Sequence, residues 1–139
     1  MTSHDNNFYL AGGISVTSQS NQNSIQMLNL QAVNSLQEAQ NRQWIFMENL
    51  KHSVQRVSII YSNNQLLVVG GTVSTAECKH VQYLNLATNI TGVHADTIGC
   101  GNANRNRPGL YTAGMYSVEG GKVSIFGGGR AYREFEYIS

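Results

Sequence analysis

The stretch "LLVVGG" at residues 66–71 is an apolar run of four stopped by two glycines. A strand that is apolar on both faces has to be covered on both sides. Glycines at its end point to a place where the backbone turns through a positive φ or where no Cβ fits. The chain writes this figure three times. "FYLAGG" ends on Gly12 and Gly13, "LLVVGG" on Gly70 and Gly71, and "VSIFGG" on Gly127 and Gly128, at spacings of 58 and then 57 residues. "IQMLNL" (25–30) follows the first pair and "VQYLNL" (81–86) the second, with Gln, Leu, Asn and Leu at equivalent places. "FEYIS" (135–139) follows the third. Recurrence in the same order marks an internal repeat.

Working outward, the segments between the glycine pairs read as strands. They are short, rich in Val, Ile, Leu and Tyr, and bounded by Gly, Asn and Ser. "SVQRVSIIYS" (53–62) turns at "NNQ" into "LLVVGG", and "GLYTAGMYSV" (109–118) turns at "EGGK" into "VSIFGG". Asn and Gly suit such tight hairpins because they tolerate positive φ. "RQWIFME" (42–48) and the weaker "NITGVHA" (89–95) supply a fourth strand to the first two units. Residues 32–41, "AVNSLQEAQN", read as a loop in preference to a helix.

The pattern of an apolar strand, Gly-Gly, a strand carrying Tyr83, and a following strand carrying Trp44 resembles Kelch repeats. The likeness covers nearly the whole chain. It departs from the family in three ways: Met27 stands where Tyr83 does, the second unit has no Trp, and the period exceeds the family's ~50 residues. The resemblance implies an all-β, partial Kelch-like β-propeller of about two and a half four-stranded antiparallel blades. The single segment 1–139 divides into blade 1 (strands b–d, 7–48), blade 2 (strands a–d, 53–95) and blade 3 (strands a–c, 109–139). Gly12, Gly13, Gly70, Gly71, Gly127, Gly128, Trp44 and Tyr83 are its structural residues. Too few blades for a closed ring predict strand-edge pairing with further blades or with other copies. A segment of a larger protein or a subunit of an assembly is the expected setting.

Composition narrows the function. The chain has 139 residues, 12% of them charged and 41% hydrophobic, with a net charge of +1. That balance gives no global attraction to nucleic acid or to a membrane surface. No apolar run is long enough for a membrane helix, and "MTSHDNNF" has no signal-peptide pattern, so a cytoplasmic protein without membrane insertion is expected. Cys78 and Cys100 lack metal-ligand spacing and read as free thiols or as one disulfide. "NIT" at Asn89 fits a glycosylation triplet. His4, His52, His80 and His94 show no paired-ligand spacing. "GCGNAN" (99–104) has Asn104 where a phosphate-binding loop needs its third glycine. No catalytic residue, cofactor or metal is assigned.

Charge placement carries the functional expectation. In an antiparallel meander the b–c and d–a connections share one end of the sheets. The segments assigned to that end hold Lys51, Lys79, Arg105, Arg107, Arg130 and Arg133, six of the nine basic residues. The family resemblance implies that this end grips partner peptides. Planar guanidinium groups suit carboxylates, so Arg105, Arg107, Arg130 and Arg133 are the candidate patch for an acidic segment of a protein partner. Charged loops also serve solubility alone. The arginines lack the interleaved aromatics of a nucleic-acid surface. A protein-interaction or scaffold module is therefore expected. The alternative is a fragment of a propeller enzyme acting on sugars or alcohols.

Overall fold

The computed structural model describes residues 1–73, 76–77, 80–97, 114–117, 123–126 and 136–138. The chain is all-β and built from antiparallel sheets in the manner of propeller blades. The first sheet contains β1 (Thr2–His4), β2 (Asn7–Ala11), β3 (Gln22–Asn29) and β4 (Ile45–Val54), in that order. The second contains β5 (Ser58–Ser62), β6 (Gln65–Val69), β9 (His80–Asn85) and β10 (Ile90–Thr97), again in chain order from one edge to the other. Between β6 and β9 lies a two-stranded ladder of β7 (Thr72–Val73) and β8 (Ala76–Glu77). A three-stranded sheet of β11 (Gly114–Ser117), β12 (Val123–Phe126) and β13 (Glu136–Ile138) follows.

Three local readings of the sequence are corrected. The first sheet does not begin at residue 7, because Thr2–His4 pairs with Asn7–Tyr9 across a two-residue turn at Asp5-Asn6. The segment is too short and polar for a strand pattern to show, and Asp5 at φ 53 carries the turn. Residues 53–62 are not one strand: Ser53 and Val54 finish β4, and the chain turns at Gln55–Val57 before β5. Arg56 takes a φ of 57 in that turn. Within 32–41, residues Leu36–Asn41 form a short helix, α1. Ser35 Oγ accepts a hydrogen bond from the Glu38 N–H at 3.2 Å, and Glu38 Oε2 accepts one from the Asn34 N–H at 2.9 Å. This Ser-x-x-Glu arrangement satisfies donors that a helix start otherwise leaves open.

The repeated Asn-Leu of "LNL" stitches each sheet at one end. The Leu30 N–H donates to the Asn6 carbonyl at 2.9 Å, and the Leu86 N–H donates to the Asn64 carbonyl at 3.0 Å. Asn29 Oδ1 accepts from the Gln31 N–H, and Asn85 Oδ1 accepts from the Ala87 and Thr88 N–H groups. These side chains mimic a backbone turn. Asn63 and Asn64, with φ of 48 and 59, form the primed two-residue turn that matches strand twist.

The core lies between the first two sheets. Tyr9, Ile25, Leu50 and Val54 of the first meet Leu66, Val68 and Leu84 of the second, all buried. Burying an aliphatic side chain of this size contributes about 1.5–3 kcal/mol each. In the second sheet Leu67, Val69 and Val81, on the opposite face from that cluster, are buried as well, so "LLVV" is covered on both sides as its composition requires.

The glycine pairs pack against the crossover between these sheets. The Gly13 N–H donates to the Val54 carbonyl at 2.7 Å, and a Cβ on Gly12 would come 2.5 Å from that oxygen. A Cβ on Gly71 would come 2.6 Å from the Gln55 carbonyl oxygen and 2.8 Å from Val57 Cγ1. Substituting Gly71→Ala therefore combines backbone strain at φ +91 with a backbone clash. It should cost at least about 2 kcal/mol. Gly13→Ala, at φ +109 with nothing within 4 Å of the added carbon, should cost less because only strain remains. Urea midpoints of the two variants check the order, and equal losses would contradict the close approach.

Candidate interaction surface

Strand connectivity puts the b–c and d–a connections of the first two sheets at one end. These are residues 12–21, 55–57 and 70–79. The first carries an isolated bridge, Ile14 to Asn21, and the third the β7–β8 ladder at the corresponding place after its glycine pair. Of the basic residues expected at this end, Lys51 is described and lies within β4, exposed. Arg105, Arg107, Arg130, Arg133 and Lys79 lie outside the described residues, as do Gly127, Gly128, Cys78 and Cys100.

Near the same end a histidine pair spans the two sheets. The His52 ring, on β4, stacks on the His80 ring, at the start of β9, with centroids 4.4 Å apart and planes 5° apart. Burial, and secondly the neighbouring His52, hold His80 below the ordinary histidine pKa. Sequence spacing gave no hint of this pair, because the two residues meet only when the sheets stack.

Beside the pair, Gln82 is 1% exposed and bonds the other sheet's backbone at two points. Its Oε1 accepts from the His52 N–H at 2.8 Å, and its Nε2 donates to the His52 carbonyl at 3.3 Å. Two further side chains reach the same strand. Thr91 Oγ1 donates to the Asn49 carbonyl at 2.9 Å, and Asn89 Nδ2 to the Met47 carbonyl at 3.2 Å. Along this seam Glu48, Lys51, Asn89 and Ile90 help to line an open groove of about 400 Å³. Ile90 remains 60% exposed there. Asn89 of the "NIT" triplet is thus exposed at a turn, with its amide already engaged.

At the opposite end Asp5, Asn6, Asn7, Asn29 and Gln31 line a polar hollow of about 570 Å³. Asn29 Nδ2 donates to Asn7 Oδ1 at 2.6 Å within it. The hollow offers hydrogen-bond donors and acceptors with one carboxylate. Among the described residues no group of three His, Cys, Asp or Glu is placed to hold a metal ion. No helix among them is long and apolar enough to cross a membrane.

Two residues singled out as structural have unlike settings. Tyr83 lies over Gly92, where an added Cβ would come 2.5 Å from the phenol oxygen, and its ring meets the His94 ring at 5.0 Å. Trp44 sits just before β4 and is 38% exposed, beside exposed Ile45 and Phe46.

The histidine pair has a pH consequence. Unfolded, His80 takes up its proton near about pH 6.5; folded, it does so at lower pH. Between those values the unfolded chain binds more protons, so stability falls as pH drops below about 6.5 and levels off below the folded value. His80→Phe should flatten this dependence while keeping a stacked ring. Urea midpoints at neutral and mildly acidic pH read the slope, and an unchanged slope would assign it to other groups.

No protein-family model matches the chain, and no curated protein matches it by sequence. Among solved structures it is similar to one described as "Structure of YjhT", with a TM-score of 0.66 and 15% identity. The likeness covers 91% of this chain and 32% of that one. The two share a fold, and the present chain spans about a third of the length of the other.

Proposed function

We propose that the chain is a protein-interaction or scaffold module of Kelch-propeller type, working as part of a larger protein or assembly. The observation that carries this reading is the connectivity. The first two sheets have their b–c and d–a connections at one end, and the sequence concentrates basic residues in the corresponding connections along the repeat. Arg105 and Arg107 fall between β10 and β11, and Arg130 and Arg133 between β12 and β13. The partner chemistry is an acidic peptide segment. Guanidinium forks would pair with its carboxylates, and the low overall charge leaves selectivity to that local patch.

A fluorescent ten-residue oligoglutamate peptide is the probe. The chain should bind it in a salt-sensitive manner. Arg130→Glu combined with Arg133→Glu should weaken binding at least about tenfold, equivalent to about 1.4 kcal/mol, without shifting the melting temperature. Binding unaffected by the double reversal, or absent in the parent chain at low salt, would overturn the reading.

A further inference from the structure

The repeat gives each face of the first sheet a counterpart in the second. Phe8, Leu10, Gln26 and Leu28 occupy the register positions of Leu66, Val68, Gln82 and Leu84: Phe8 pairs with Leu28 and Leu10 with Gln26, as Leu66 pairs with Leu84 and Val68 with Gln82. The correspondence extends to the outer strand, where Gln26 is opposite Phe46 and Gln82 opposite Val93. In the second sheet Leu66, Val68, Gln82 and Leu84 are all buried against the first, at 0–1% exposure. In the first sheet the equivalents lack that cover among the described residues. Leu10 is 38% and Phe46 58% exposed, while Phe8, Gln26 and Leu28 are half-buried. Gln26 makes a long 3.5 Å bond to Ser24 Oγ, whereas Gln82 holds both backbone groups of His52.

We propose that this far face of the first sheet is a docking surface for one more four-stranded sheet of the same repeat, with Gln26 as its amide clamp. The occupant's chemistry follows from the interface already formed. It must bring an apolar face like that of Tyr9, Ile25, Leu50 and Val54, and an outer strand whose backbone N–H and C=O are free to meet Gln26. A second copy of the chain fits less well, because its last sheet has three strands among the described residues and no outer one. The similar YjhT chain has about two thirds of its length beyond the matched part, so the shared fold is accompanied there by further chain. The proposal does not depend on the arginine patch, and failure of peptide capture leaves it standing.

The test adds the missing sheet. A second copy of residues 1–57 is placed ahead of the full chain through one serine, which stands where Ser58 stands in the repeat. Gln26→Ala in the original sheet is then compared in the extended and unextended chains. The substitution should lower the melting temperature by about 3 °C or more in the extended chain and by less than about 1 °C in the unextended one. Gln82→Ala serves as the reference and should lower both. Equal effects of Gln26→Ala in the two backgrounds, or an added sheet that stays open to protease, would overturn the proposal. So would an unextended chain that self-associates and loses that association on Leu10→Asp, which would give the face to a second copy.

Discussion

The close approach of backbone to backbone at Val54–Val57 is the constraint on which the stacking of the sheets depends. The crossover that leaves the first sheet and enters the second is met from one side by Gly12 and Gly13 and from the other by Gly71. A side chain at Gly12 or Gly71 would push a carbonyl oxygen away by contact at 2.5–2.6 Å. Displacing it would separate the apolar faces that Leu50 and Val54 bring to the core. The glycines therefore act on spacing between sheets as well as on turning within them.

With the spacing set, a mostly amide chemistry holds the seam. Gln82, Asn89 and Thr91 bond backbone groups of β4 directly. Neutral side chains satisfy buried backbone groups without the desolvation cost that a buried ion carries. This gives the low charged fraction, 12%, a structural meaning. Gln and Asn in this chain are joints as well as surface.

Much of this architecture was legible, and the reasons differ by element. The glycine spacing and the shared "LNL" were visible because they recur, and in the first two units each recurrence is one hydrogen bond made twice. The Gly12 and Gly70 N–H groups donate to the Ser24 and His80 carbonyls, and the Leu30 and Leu86 N–H groups to the Asn6 and Asn64 carbonyls. The primed turn at Asn63-Asn64 was readable from its residues. β1 was not, because three polar residues show no alternation, and α1, six residues with none buried, shows no apolar period although Ser35 and Glu38 carry its capping signal. The histidine stack and the Gln82 clamp were hidden for a different reason. They join residues 28 to 30 positions apart across two sheets, a separation that no local pattern encodes. Where the arginines sit relative to one another lies outside the described residues.

The order of strands within each sheet follows the order of the chain, which has a consequence for how the molecule assembles. Each four-stranded sheet closes through contacts between neighbours in sequence, so its loop-closure cost is small and it can form as a local unit. The costly step is the meeting of units, and it is directional. As the chain is synthesised, Tyr9, Ile25, Leu50 and Val54 gain their first cover from Leu66 and Val68 of β6, and the rest only when β9 delivers Leu84 and Gln82. Over that interval of roughly thirty residues the nascent protein presents an incompletely covered apolar face, the period when a chaperone or a wrong partner would find it.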